Sequence, residues 1–333
     1  MELQKRKELL VRLGDYLTGH DEAWREAQER AAAANPWFTP EFIELGVNNI
    51  ARNYLQPQQL QQLIDQYQVT DTPTPVRKVG IVMAGNLPLV GFHDFLCVFL
   101  TGHEAMIKPS SKDDVLIKHL VAKLTEWEPS VEQWIAISGM IRHCDAYIAT
   151  GSNNSARYFD HYFGKYQSII RRNRTSVAVL TGNETTEELE RLADDVFQYF
   201  GLGCRNVTQI HVPKEYDFIP LINAFKKYDY LGNHNKYRNN YEYNLAVHIL
   251  NNRYYMSTES ILLIEEPSPF SAIAQLHYQH YGDRDELLQR LRESQEIQCI
   301  VSRDDTPFGS AQLPEADDYA DGVDTMEFLR ELT

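Results

Sequence analysis

At residues 76–86 the chain reads VRKVGIVMAGN, a short β-branched run that ends in glycine and follows the turn-forming cluster TDTPTP at 70–75. Pro and Gly punctuate secondary structure while Val and Ile favour strands, so this stretch reads as one strand running into a tight loop. Two further strand candidates follow at helix-length spacing, HEAMIKP at 103–109 and HCDAYIATGS at 143–152. Strand, helix, strand, helix implies a parallel sheet with crossover helices.

Before this sheet, residues 1–70 carry helical periodicity: Leu9, Leu10, Leu13 and Leu17 share one stripe, and Leu60 and Leu63 recur three apart. No Gly/Ser linker interrupts the region, so it is expected to pack on the body as a helical N-terminal region. After the sheet, TSVAVLTG, NVTQIHVP, ESILLIEE and FSAIAQLHY form a second set of strands. The helix ETTEELERLADDVFQYF lies between the first two, with Thr185 and Glu188 at capping-box spacing. The expected division is a helical region 1–70, a first α/β lobe 71–175, a second α/β lobe 176–310 and a tail 311–333 that has no clear period.

A chain of 333 residues, 43% of them hydrophobic, can bury one large core or two. Against 32 Lys and Arg stand 47 Asp and Glu, a formal charge of −15 that repels nucleic acid and anionic lipid. The N-terminal MELQKRKELLVRLGDYL is amphipathic, without the apolar run of a signal peptide. No segment reaches the ~18 apolar residues of a membrane span, so the sequence reads as cytoplasmic. Cys97, Cys144, Cys204 and Cys299 are scattered with no CxxC pair, so they read as free thiols, with no disulfide framework and no metal site expected.

Four stretches could carry chemistry. In FGLGCRNVTQIHVP (200–213), Gly201 and Gly203 leave the backbone bare beside the Cys204 thiol, which lets a carbonyl and backbone N–H donors come close. No histidine is adjacent, since His211 falls on the following strand, so oriented amides would have to lower the thiol's pKa. The same pattern also fits a strand-entry turn around a packed cysteine. In AGNLP (84–88), Gly85 and Pro88 are turn residues, yet Asn86 stands at the carboxyl end of a parallel strand, where such sheets place ligands. An amide there can donate to an oxyanion. IKPSSKDD (107–114) offers Lys108, Ser111 and Lys112 as an anion site or a solvated loop. In ATGSNNSARYF, Gly151 and Ser152 open a helix whose unpaired N–H groups favour phosphate. Neither GxGxxG nor GxxxxGK[ST] is present. His93 and Cys97, four apart in an apolar run, read as core, and HNKYRNNYEYN reads as a surface loop.

Taken in order from residue 76 to about residue 212, these stretches resemble the aldehyde dehydrogenase superfamily, and most closely its fatty-acyl-CoA reductase branch, the LuxC-type enzymes. VMAGNLPLVGFHDFL resembles that branch's strand and loop, EAMIKPSSKD its cofactor-lysine motif, IATGSNNSARYF its Gly-Ser helix start and YFGLGCRNV its nucleophile loop. ILLIEEPSPFSAI and YADGVDTMEFL are fainter echoes.

The resemblance implies an α/β, aldehyde-dehydrogenase-like fold in which 71–175 binds the dinucleotide and 176–310 is catalytic. It implies Cys204 as acyl-accepting nucleophile, Asn86 with the Cys204 N–H as oxyanion donors, Lys108 at the adenosine ribose, and Gly151 and Ser152 near the pyrophosphate. Ser111 stands where superfamily members often carry a ribose-binding glutamate; flanked by Lys108 and Lys112 it would accept a 2′-phosphate, so NADPH is expected over NADH.

Hydrolytic members carry a general-base glutamate in an ELGGK-like segment, where this chain has IIRRNRTSVAVL, with Arg171, Arg172 and Arg174. Without that base a thioester on Cys204 would persist, which suits exchange with CoA or a carrier thiol. The expected activity is reduction of an acyl-CoA to the aldehyde; acyl-phosphate reduction, NADP-linked aldehyde oxidation and a non-catalytic acyl-binding or scaffolding role stay open. An acyl-CoA or acyl-carrier thioester, further copies of the chain and an acyl-transfer enzyme are the expected partners. The cofactor-side glutamate, Glu265 or Glu266, is not fixed by the sequence, because the chain is short for the superfamily.

Overall fold

Lys78–Val82 forms strand β1, buried at every residue but the first, in the computed structural model, which describes residues 1–73 and 75–332. Thr74, in the punctuating cluster before β1, lies outside the described residues. β1 is the centre of a five-stranded sheet with β2 (Glu104–Lys108), β3 (Ile135–Ile137), β4 (Ala146–Thr150) and β5 (Gln167–Arg171). The order is β3-β2-β1-β4-β5 and every pairing is parallel. A strand covered on both faces must be apolar throughout, which is why KVGIV shows no alternation.

Helices α1 (Leu3–Thr18), α2 (Glu22–Ala34), α3 (Pro40–Asn53) and α4 (Pro57–Gln66) precede β1. The Asp21 side chain caps α2, and Thr39 caps α3 with Pro40 at its first turn. Leu9, Leu10, Leu13 and Leu17 share one core with Ile81 of β1, with Phe95 and Leu96 of α5 (Phe92–Thr101), and with Leu116 and Leu120 of α6 (Val115–Trp127). Arg6 fastens the leader: its buried guanidinium donates to the carbonyls of Leu100 and Thr70 at 3.1 and 3.0 Å, and to Asp71 at 2.7 Å. Each apolar side chain so buried contributes roughly 1.5–3 kcal/mol. A C-terminal helix, Thr325–Arg330, places Met326 and Leu329 in this core as well. His93, half-buried, donates from Nε2 to the Ala316 carbonyl at 2.9 Å, and Cys97 is fully buried in the core. Met1–Asn173 and Pro314–Thr333 make up this first unit, and Arg174–Leu313 the second.

The crossover from β3 to β4 is short. β3 ends at Ile137 and β4 begins at Ala146 on the other side of β1, so residues 138–145 make the crossing without a helix. A parallel crossover ordinarily takes a dozen or more residues and a helix. Ile141 and Cys144 of this loop and Phe159 and Phe163 of α7 (Asn153–Phe163) pack on that face.

The second unit holds β6 (Thr175–Val179), β7 (Val207–Pro213), β8 (Met256–Ser257), β9 (Leu262–Glu265), β10 (Gln275–Tyr281) and β11 (Ile297–Val301). They form a sheet in the order β11-β6-β7-β10-β9-β8, parallel except for β8 on β9. Helix α8 (Thr186–Phe197) begins with the capping box that Thr185 and Glu188 predict. α9 (Ile219–Phe225), α10 (Asn235–Leu250) and α11 (Arg284–Arg292) follow. HNKYRNNYEYN is not a surface loop: most of it is the start of α10, with Tyr237 and Asn244 buried. Its polar residues on every side erase the apolar stripe that would have marked it. Strand β10 begins late within FSAIAQLHY, because Ala274 takes a left-handed φ of 62° just before it. Among the described residues no helix is long and apolar enough to cross a membrane.

Candidate functional site

Between α8 and β7 the chain makes a strained turn. Tyr199 and Phe200 stand at φ 55° and 59°, followed by Gly201 at 72°. A left-handed conformation costs a non-glycine residue about 1–2 kcal/mol, so the turn needs support. Asn206, fully buried, supplies it: Oδ1 accepts the Gly203 N–H at 2.8 Å, and Nδ2 donates to the carbonyls of Gln198 and Asp195 at 2.9 and 3.1 Å. On the other side Ser176 of β6 donates to the Cys204 carbonyl at 3.0 Å and accepts the Cys299 N–H at 3.2 Å. Cys204 is therefore half-buried on a turn whose flanking peptides are fixed.

Cys97 and Cys144 are buried, and Cys299 is half-buried like Cys204. Burial pushes Cys144 and Cys299 up to about 11 and Cys97 upward too, which leaves little thiolate at neutral pH. Sequence reading found the glycines but missed Asn206, which looked like the first residue of a strand, and Ser176, inside another. Asn206→Ala removes the bonds to the Gly203 N–H and to the carbonyls of Asp195, Val196 and Gln198. It is expected to cost about 2 kcal/mol, read as a lowered urea midpoint with unchanged slope.

The other predicted residues lie in the first unit, at the carboxyl edge of its sheet. Lys108 is the last residue of β2, Gly151 and Ser152 follow β4, and Asn86 is exposed on the loop after β1. β1 and β4 are where the strand order reverses, the place at which open α/β sheets take their ligands. A Cβ on Gly151 would come within 2.8 Å of Ser155 Cβ and 2.9 Å of Phe159 Cε2, so only glycine lets α7 start so close to the strand. Ser152 caps α7 by accepting the Ser155 N–H at 3.3 Å. Ser111 and Lys112 are exposed on the turn after β2, whose Asp113 is buried and pushed up to about 7 by that burial, with the Leu89 N–H pulling the other way. Beneath the short crossover lies a cavity of about 630 Å³. Lys108, Arg142 and Lys165 line it together with Tyr147, Tyr158 and Phe159, and its lining holds no carboxylate.

The three arginines of IIRRNRTSV are engaged elsewhere. Arg171, buried, pairs with Asp94 at 2.6 Å and donates to Thr325 Oγ1 and the Ala320 carbonyl, both at 2.9 Å. Arg172 meets Asp160 at 2.9 Å on the surface, and Arg174 donates to the Ile297 carbonyl at 3.3 Å. Glu265, at the end of β9, is exposed, and Glu266 is held below the ordinary carboxylate range by Arg253, 2.9 Å away. Among the described residues no three His, Cys, Asp or Glu side chains gather as a metal site. Cys204 belongs to the second unit and the edge residues to the first.

Residues 44–218, just over half of the chain, match the acyl-CoA reductase (LuxC) family. No curated protein matches the chain. Solved structures, aldehyde dehydrogenases among them, share its fold. HpcC from Thermus thermophilus superposes with a TM-score of 0.67 at 11% identity, covering 91% of this chain and 70% of that one. Aldehyde dehydrogenase 21 from Physcomitrella patens, solved with the product succinate, gives 0.66 at 13% identity over 87% and 71%. Indole-3-acetaldehyde dehydrogenase AldA of P. syringae, solved with NAD+, gives 0.63 at 14% identity over 87% and 69%.

Proposed function

Because the chain belongs to the LuxC family of acyl-CoA reductases, we propose that it reduces an acyl-CoA, of the fatty acyl class, to the aldehyde through an acyl-enzyme on Cys204, with NADPH as reductant. The observation that carries this reading is the presentation of Cys204 on a turn fixed by Asn206 and Ser176.

In this reading the Cys204 thiolate attacks the thioester carbonyl, and Asn86 with the Cys204 N–H holds the oxyanion. The C–S bond to CoA breaks, CoA leaves as the thiolate, and the acyl group stays on Cys204. The dinucleotide, when bound, supplies hydride to the acyl carbon. Hydride addition leaves a hemithioacetal oxyanion on Cys204, which breaks its bond to the sulfur, releasing the aldehyde and restoring the thiolate. The segment with Arg171 in place of a general-base glutamate supports reduction over hydrolysis, since that arginine is committed to Asp94.

The carboxyl edge of the first sheet fits a dinucleotide on its own chemistry. Gly151 permits close approach, the α7 N-terminus favours a pyrophosphate, and Lys108 lines an aromatic cavity whose lining holds no carboxylate. Ser111 and Lys112 are the residues we assign to the 2′-phosphate. The same chemistry admits an acyl-carrier thioester as donor, and a second copy of the chain or an acyl-transfer enzyme as partner.

The test is intact-mass analysis after incubation with acyl-CoAs, acyl-carrier thioesters and acyl phosphates, followed by reduced dinucleotide. Acyl adducts mapping to Cys204 are expected from CoA thioesters, discharged to aldehyde faster by NADPH than by NADH. Adducts from acyl phosphates alone would overturn the choice of substrate. Equal or faster discharge by NADH would overturn the roles of Ser111 and Lys112.

A further inference from the structure

We propose that Asp113 is a positioning residue for the Asn86 amide, clamping the loop after β1 onto the turn after β2. The inference rests on Asn86 acting as the oxyanion donor. In the turn after β2 the Asp113 N–H donates to the Ser110 carbonyl at 3.0 Å, and the Lys112 N–H to Ser110 Oγ at 3.2 Å. Asn35 Nδ2, beyond the end of α2, donates to the Lys112 carbonyl at 3.1 Å and ties the turn to the helical region. From this fixed turn Asp113 reaches across, and its Oδ2 accepts the Leu89 N–H at 2.7 Å.

Asn86 lies between two points of that clamp. On its N-terminal side, Gly85 is pressed on the same turn so closely that a Cβ there would come within 2.6 Å of Ser110 Cβ. On its C-terminal side, Leu89 is buried at φ 55°, a left-handed conformation that leucine keeps only where its surroundings hold it. The Asp113 carboxylate holds its N–H, and the Phe92 N–H donates to its carbonyl at 2.9 Å. Between these points Asn86 remains exposed.

The clamp carries an expense that stability alone does not explain. Asp113 is 6% exposed, and its Oδ1 is buried without a hydrogen-bond partner among the described residues. Burying a carboxyl with one oxygen unused is unfavourable. What the group secures is the geometry of a six-residue segment, 84–89, that begins at a strand end and bears one exposed amide. An amide donor stabilises an oxyanion only when it is held in place beforehand, and a displacement of about 1 Å costs up to 10²-fold in rate.

A double-mutant cycle tests this. The rate of Cys204 acylation by an acyl-CoA is measured by rapid quench and intact mass in the wild type, Asn86→Ala, Asp113→Ala and the double variant. If Asp113 acts through Asn86, Asp113→Ala slows acylation about tenfold in the wild type and less than about twofold when Asn86 is already gone. Asp113→Asn, which keeps an acceptor for the Leu89 N–H, recovers most of the loss. Gly85→Ala pries the two loops apart from the other side and is expected to show the same dependence on Asn86. It decides the matter if Asp113→Ala does not fold. An equal slowing in both backgrounds overturns the positioning role while leaving the Asn86 assignment intact. An Asn86→Ala variant that acylates at the wild-type rate overturns the assignment of Asn86 and this inference with it.

Discussion

Replacing Cys204 with alanine is expected to abolish acyl labelling and lower aldehyde formation by at least about 10⁴-fold, the scale of losing a covalent nucleophile. The fold should tolerate the change. Cys204 is half-buried on a turn, and Asn206 and Ser176 shape that turn through bonds to backbone groups. Circular dichroism and the unfolding midpoint are therefore expected to stay near wild type, which separates loss of chemistry from loss of structure. The nearest competitor is Cys299, whose N–H shares Ser176 with the Cys204 carbonyl. Its thiol is pushed up to about 11 by burial, so it offers little thiolate to an incoming thioester at neutral pH. Labelling that persists at Cys299 or elsewhere in Cys204→Ala would remove the acyl-enzyme reading of this residue.

What the sequence made legible, and what it hid, follows from the range of the interactions involved. β1, β2 and β4 announce themselves because each is a contiguous apolar run ending in Gly, Pro or a polar turn. The residues proposed for chemistry follow those runs within a few positions, so strand-end logic finds them without coordinates. Asn206 and Ser176 cannot be found this way. Asn206 matters through carbonyls 8 and 11 residues upstream, and Ser176 through partners 28 and 123 residues away. Asp113 is hidden likewise, since KDD reads as a solvated charge run until Leu89, 24 residues earlier, proves to be its partner. Arg171 is hidden in the same way, since its partner Asp94 lies 77 residues before it. The three-residue β3 and the polar helix α10 lack the length or the period by which such elements declare themselves.

Asn86→Ala is expected to slow acylation of Cys204 by 10²–10³-fold, about 2.7–4 kcal/mol of transition-state stabilisation. The argument turns on where charge appears. The ground-state thioester carbonyl carries little charge, whereas the tetrahedral intermediate carries a full one, so a fixed amide donor acts mostly on the barrier. The loss should thus fall on the acylation rate at saturating acyl-CoA, with the apparent affinity for the substrate changed only a few-fold. The structure supplies a reason for the donor to be effective: its loop is pressed at Gly85 on the Ser110 turn and bonded at Leu89 to Asp113, so little reorganisation remains when charge develops. Because Asn86 is exposed, its truncation leaves no packed cavity. A loss confined to substrate affinity, with the saturated rate preserved, would assign Asn86 to ground-state binding and return the oxyanion role to the backbone N–H of Cys204 alone.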